Sequence, residues 1–288
     1  MSNANNALSR IFTQNALASI ISTSGTLPPV YQAVVRRYSI PTDGSYSNAE
    51  VISEIYCIVE KSYRYEYYYK NTLLNKLIIN VQRLHTTTAL TEVPIAKSKA
   101  DFIMINGKAV VYEIKTDLDT LDRLESQISD YYKAFDHVCI VTGEGKKDEV
   151  IAKFKGSPVG IYILTSRNTI KRFKEPKTYT MELELEQIFR VLRKAEYESI
   201  IRQLRGELPK VSPVRYYEEC KRIICSYSVE QVYPLFLAEL KKRNRIESID
   251  YSSIPGALHF LVYFSKYRKK EIDRLCLFLE QTYNGGGC

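Results

Sequence analysis

Asp101, Glu113 and Lys115 bring two carboxylates and an ammonium group together within a short stretch of the chain. Hard oxygen donors from Asp101 and Glu113, helped by the main-chain carbonyl of Ile114, suit Mg²⁺ or Mn²⁺ held with several waters. Such an ion polarises a phosphodiester and lowers the pKa of a bound water, while Lys115 would orient that water and stabilise charge growing on the phosphate oxygens. Two acidic groups and a lysine on one sheet edge carry a burial penalty unless something compensates, and a divalent ion would compensate.

Glu-x-Lys alone has no value, since such triplets also begin at Glu144, Glu175, Glu219 and Glu239. Context separates the one at Glu113. It ends the apolar run Val110-Val111-Tyr112, and it follows a second run that opens on a carboxylate, Asp101-Phe102-Ile103-Met104-Ile105. Residues two apart in a strand project from one face, so Glu113 and Lys115 point the same way. Asn106-Gly107 between the runs is suited to a two-residue hairpin turn, which would fold Asp101 back towards Glu113.

The elements that must hold these groups are legible on either side. Asn48 is a candidate cap for a helix through Val51, Ile52, Ile55, Ile58 and Val59, and a second stripe runs through Leu73, Leu74, Leu77, Ile78 and Val81. Runs over 90–96, 101–105 and 109–114 read as three strands, followed by an amphipathic helix over 120–135 after Asp119. Val138–Val141 reads as a buried strand, 147–155 as a short helix and Val159–Leu164 as a further strand. Beyond Tyr179 only helical patterns remain, over 181–204, 214–224, 229–243 and 256–281. The expected organisation is therefore a loosely structured lead-in over 1–47 ending at Pro41-Thr42-Asp43-Gly44, an α/β domain over 48–175, and a helical C-terminal region over 176–288 closed by a frayed Gly285-Gly286-Gly287-Cys288 tail.

Lys99-Ala100-Asp101, eleven intervening residues and Glu113-Ile114-Lys115 resemble the bipartite signature of the PD-(D/E)XK, or restriction-endonuclease-like, nucleases. The order helix, three strands, helix, strand is similar to that superfamily's core. Gln127-Ile128-Ser129-Asp130-Tyr131 resembles the Gln-x-x-x-Tyr element of its RecB-type branch, and residues four apart share a helix face. The segment from Thr91 to Phe135 also resembles a poorly characterised bacterial subfamily. Ala100 stands where the signature has proline, a permissive position. The resemblance covers about residues 50–165. It implies a restriction-endonuclease-like fold, Mg²⁺ (or Mn²⁺) as cofactor, Asp101, Glu113 and Lys115 as the catalytic core, and Gln127 and Tyr131 near the substrate phosphate and attacking water. It further implies a glutamate from the first helix as an added metal ligand; Glu66 is the first choice, with Glu54 and Glu92 as alternatives.

Apolar residues make up 45% and charged residues 26%, the composition of a folded chain without a membrane span, and the formal charge of +8 suits a nucleic-acid partner without requiring one. Six cysteines show no CxxC pair and no regular spacing with the three histidines, which argues against zinc and for reduced thiols in the cytoplasm. The basic runs Lys241-Lys242-Arg243-Asn244-Arg245 and Lys266-Tyr267-Arg268-Lys269-Lys270 are candidates for backbone contact, although lysines and arginines also complement helix C-termini. The tyrosines Tyr63, Tyr65, Tyr67, Tyr68 and Tyr69 suit packing better than base stacking. Expected partners are nucleic acid, DNA favoured over RNA, no membrane, and a second copy through the helical C-terminal region. The expectation is a metal-dependent deoxyribonuclease; the alternative is a catalytically silent nuclease fold that binds nucleic acid or protein.

Overall fold

A computed structural model describes residues 2–22, 27–40, 46–81, 84–243, 249–265 and 267–284. The expected stop at Pro41–Gly44, the residues Asn244, Arg245 and Lys266 of the basic runs, and the glycine tail lie outside the described residues. Contacts divide the chain into two compact units, one of Met1–Arg83 with Ile246–Cys288 and one of Leu84–Arg245. The first unit is thus contributed by both ends of the chain and the second by its middle.

The first unit begins with α1 (Ser2–Ile11), α2 (Gln14–Ser22) and α3 (Pro29–Arg37). This corrects the expected loose lead-in: Leu8, Ile11, Leu17, Ile20, Tyr31 and Val34 are buried, so three short stripes form a core despite their Ser, Asn and Thr neighbours. α4 (Asn48–Ser62) starts one residue earlier than the Asn48 cap anticipates. Ser47 Oγ accepts the Glu50 N–H at 3.2 Å while Glu50 Oε2 takes the Ser47 N–H at 2.7 Å, a reciprocal capping box. Asn48 is instead the first helical residue, fully buried, its amide donating to the Phe278 carbonyl at 2.9 Å. α5 (Glu66–Leu74) continues into a π-turn over Asn75–Ile79. Tyr67, Tyr68 and Tyr69 are buried on it, Tyr67 stacked on Phe12 at 5.1 Å between ring centroids.

The second unit is a six-stranded mixed sheet in the order β1 (Thr88–Ile95), β2 (Ser98–Asn106), β3 (Lys108–Lys115), β4 (Val138–Gly143), β5 (Gly160–Leu164), β6 (Ile170–Lys174). β1, β2 and β3 are antiparallel neighbours; β4 is parallel to β3, and β5 to β4. The β2–β3 turn is tighter than a two-residue hairpin. Asn106 pairs with Lys108 across Gly107, whose φ of 74° lies in the left-handed region that glycine adopts without a Cβ clash. α6 (Leu124–Tyr132) and α7 (Lys147–Phe154) connect the parallel strands, and Ile128, Tyr131, Val150 and Phe154 share one core with Ile103, Val111, Ile140 and Ile161. The edge strand β6 was not legible as a strand: Lys171, Arg172 and Phe173 are exposed on it, and charge at a sheet edge discourages further pairing.

As expected, the chain after the sheet is helical among the described residues, but its helices divide between the two units. α8 (Leu185–Val191), α9 (Lys194–Arg205), α10 (Pro213–Cys225) and α11 (Val229–Lys241) fall in the sheet unit and bury Ile188, Phe189, Ile200, Ile224, Val232 and Phe236 in its core. α12 (His259–Phe264) and α13 (Lys269–Glu280) return to the first unit, where Ser47 bridges to Thr282. The physical reason is periodicity: an amphipathic stripe announces that a face is buried and says nothing of what covers it. Among the described residues, no helix is long and apolar enough to cross a membrane.

The sheet unit is closed by an ion pair at the end of α11. The Arg243 guanidinium takes both Glu196 oxygens, at 2.7 and 2.6 Å, and donates to the Val191 carbonyl at 2.8 Å. Burial raises the Glu196 pKa, but Arg243 and the Arg193 N–H outweigh it and hold the carboxyl below its ordinary 4.5. Since the folded value is depressed, the pair contributes stability above that ordinary value and loses it as pH falls through the lower one. Arg243→Ala leaves a buried unpaired carboxylate and should cost about 3–5 kcal/mol at neutral pH. Urea unfolding as a function of pH should show the gap to wild type narrowing below about pH 4.5.

Candidate active site

Phe102 and Tyr112 are partners across β2 and β3, so the next pair outward sets Asp101 against Glu113. Directly opposed residues in an antiparallel pair share a face, and this is the face of Ile103 and Val111, the one that α6 covers. Asp101 is half-buried. Its Oδ2 accepts the Ile114 N–H at 2.8 Å and its carbonyl accepts the Thr91 hydroxyl at 2.7 Å, so β1 and β3 both hold it. Ile114, named as a carbonyl donor, is thereby tied to Asp101 through its N–H.

Glu113 is 1% exposed. Its Oε1 lies 2.8 Å from Lys115 Nζ, and its Oε2 accepts from the Tyr131 hydroxyl at 2.5 Å. A buried carboxylate is tolerable only when its oxygens are paired, and here one has an ammonium and the other a phenol. Burial and then the Glu113 charge push the Tyr131 phenol far above its ordinary value, so it remains a donor throughout the working pH range. The Lys115 side chain is mostly enclosed, which confines its charge beside Glu113.

α6 sets Tyr131 by burying Leu124, Ile128, Tyr131 and Tyr132 along one side. Asp130 fastens the helix to the β1–β2 turn: its Oδ2 accepts from Ser98 Oγ at 2.8 Å and the Lys97 N–H at 3.3 Å, while Oδ1 pairs with Lys133 at 2.9 Å. Gln127 stands one turn before Tyr131. Its amide bonds towards the Tyr131 phenol and its Oε1 is buried without a partner. The structure therefore brings Asp101, Glu113, Lys115, Gln127 and Tyr131 to one face of β2, β3 and α6.

The acidic residues offered as a further ligand belong to both units. Glu66 begins α5 in the first unit, where it pairs with Lys70, and Glu54 is exposed on α4 of that unit. Glu92, the remaining alternative, belongs to the sheet unit. It sits on β1 at φ 56°, a carboxylate oxygen within 4.8 Å of one on Asp101, and it pairs with Lys99. The register of β1 against β2 sets it opposite Asp101, between the pairs Thr91–Phe102 and Val93–Ala100. Thr142 is the residue that sequence reasoning missed altogether. It lies opposite Lys115 on β4, and a lone threonine in an apolar strand carries no signal.

In the basic run at 241–245, Arg243 holds Glu196 and Lys242 pairs with Glu239 at 2.5 Å, while Lys241 is exposed. His137 lies against Asp136 and Thr178, and His259 against Asn75.

A family model described as Bacteriophage P4 protein cII matches residues 60–255, more than half of the chain and all of β1 to β6. Protein cII of Enterobacteria phage P4 is 26% identical over 175 residues, a segment covering 59% of this chain and 64% of that relative, so the match spans less than two thirds of the relative's length. No solved structure matches.

Removing the Tyr131 hydroxyl leaves Glu113 Oε2 buried without its donor, whereas the Tyr132 hydroxyl next door has no partner to lose. Tyr131→Phe should destabilise by about 1–3 kcal/mol and Tyr132→Phe by nothing or less. Equilibrium denaturation of the two variants measures the difference directly.

Proposed function

We propose that this chain, which belongs to the Bacteriophage P4 protein cII family, is a divalent-metal-dependent nuclease with a restriction-endonuclease-like core that hydrolyses phosphodiesters in DNA. One observation carries the reading: a carboxylate that is 1% exposed, Glu113, paired with Lys115 and Tyr131 on the strand beside Asp101. A domain that only binds a partner has no need to bury a carboxylate and an ammonium together at the edge of a sheet core, where an apolar pair would be more stable.

The donor set fits a hard divalent ion. Asp101 and Glu113 would hold it, with the Ile114 carbonyl as a neutral ligand and Glu92 near enough to Asp101 to add a third carboxylate. The unpartnered Gln127 Oε1 fits the same picture, as an acceptor for a water bound in the site. Mg²⁺ or Mn²⁺ bound there supplies Lewis-acid polarisation of the phosphate and a more acidic attacking water.

The chain's own side chains do the rest. Lys115 keeps a fixed positive charge where a non-bridging phosphate oxygen gains negative charge, and Glu113 fixes the direction of that ammonium. Tyr131, as a permanent donor, holds Glu113 in one rotamer. The Asp101 carboxylate is oriented by the Ile114 N–H and cannot swing away without breaking that bond. The net charge of +8 favours a polyanionic substrate and makes binding weaken with salt. Cys57, Cys139, Cys220, Cys225 and Cys276 are unbridged, which agrees with action in the cytoplasm, where DNA is met.

The test is cleavage of linear, circular and single-stranded DNA and of RNA by wild type, Glu113→Gln and Lys115→Ala, with Mg²⁺, Mn²⁺ or a chelator. Wild type should cut DNA only with the metal, and each variant should lose about 100-fold or more. Equal turnover by wild type and Glu113→Gln would assign the cleavage to a contaminant. Salt-dependent DNA binding with no cleavage under any condition would replace this reading with that of a silent, nucleic-acid-binding nuclease fold.

A further inference from the structure

The row that starts with Glu113 and Lys115 does not stop at β3. β4 runs parallel to β3, and Lys115 is in register with Thr142 as Glu113 is with Ile140. Register partners in a sheet project to the same face, so Thr142 stands beside Lys115 on the face that carries Glu113. Thr142 is fully buried, and its hydroxyl has no hydrogen-bond partner.

A buried hydroxyl without a partner destabilises the folded chain, and valine, which has the same shape, would remove the penalty. α6 supplies a second observation. The helix returns the chain from the end of β3 to the start of β4, so it runs against both strands. One helical turn advances about 5.4 Å and two strand residues advance about 6.6 Å. Tyr131 touches Glu113; Gln127, a turn earlier, is therefore level with Lys115 and Thr142. Its Oε1 is likewise buried without a partner. Two unpartnered polar atoms thus belong to residues at the level of Lys115: a hydroxyl on the strand side and an amide oxygen on the helix side.

A bare phosphate does not satisfy this set, because the Gln127 oxygen would repel it. A water does. It accepts from the Lys115 ammonium and the Thr142 hydroxyl, and it donates to Gln127 Oε1, the two to four partners that a buried water takes.

We propose that Thr142 is a water-holding residue of the site, fixing with Gln127 and Lys115 the water that attacks the phosphodiester. The inference rests on the nuclease reading for the role of that water but not for its presence. The Thr142 hydroxyl donates to one lone pair of the water, and the Gln127 oxygen accepts from one of its O–H groups. When the phosphate enters, the Lys115 ammonium turns to its non-bridging oxygen and frees the other lone pair to attack phosphorus; the P–O bond to the leaving oxygen breaks, and the proton of the water's other O–H ends, through solvent, on that oxygen.

Two measurements on wild type, Thr142→Val and Thr142→Ser test it. In cleavage kinetics, Thr142→Val should keep its KM for duplex DNA and lose about 10-fold in kcat. Thr142→Ser should return kcat to within about 3-fold of wild type. In a high-resolution crystal structure, wild type should hold an ordered water within hydrogen-bond reach of Thr142 Oγ and Gln127 Oε1, and Thr142→Val should lack it. An unchanged kcat in an active enzyme overturns the proposal while leaving the nuclease reading intact. If wild type cuts nothing, the nuclease reading fails and the crystallographic water decides: its absence ends the proposal, and its presence keeps Thr142 as the residue that holds it.

Discussion

A glutamate carboxylate buried among the strands of a sheet has to be neutralised in place, and the arrangement around Glu113 follows from that need. Lys115 supplies the counter-charge from two residues along the same strand, and Tyr131 supplies a proton donor from the helix above. Neither can be moved without the other. The strand must alternate so that 113 and 115 face α6, and α6 must be anchored so that Tyr131 reaches down; the Asp130 bonds to Ser98 and Lys97 provide that anchor. Asp101 is then set by register, one pair beyond Phe102 and Tyr112, and locked by the Ile114 N–H. The chain thus builds a polar pocket edge into an apolar core, which is expensive in stability and is the mark of a place where chemistry or binding, not packing, decides the residues.

Much of this was legible in the sequence, for identifiable reasons. The runs at 101–105 and 109–114 announce strands because β-branched residues alternate over a short span, and β2 and β3 follow them to within a few residues. The Glu113 triplet stood out from the other four because it ended such a run. Leu124, Ile128 and Tyr131 recur at helical spacing, and the helix is there. What was not legible depends on partners distant in sequence. The three helices before residue 38 look like polar lead-in until Leu8, Leu17 and Tyr31 are seen buried together. β6 carries charge where a strand pattern expects apolar residues, since it is an edge. The division of the chain runs through its two ends, and a linear reading with a boundary near 175 has no access to that. Thr142 comes beside Lys115 through parallel register with a strand over twenty residues away.

The basic residues illustrate the same limit from the other side. Arg243 sits in a run that resembles a nucleic-acid contact, yet its guanidinium is closed onto Glu196 and the Val191 carbonyl. Its role is to hold α9 and α11 together behind the sheet. On β6 of the same unit Lys171 is exposed, while Arg172 beside it pairs with Glu175. Membership of the Bacteriophage P4 protein cII family rests on the stretch that contains every one of these site residues, from Glu92 to Thr142.

The central claim is that Asp101 and Glu113 are placed to share one divalent ion, and crystals soaked in Mn²⁺ test it most directly. The account predicts a single strong anomalous peak about 2.1 Å from an oxygen of each carboxylate. Full Mn²⁺ exposure with no peak between them, or a peak bound elsewhere while Glu113 stays closed on Lys115 and Tyr131, would contradict it.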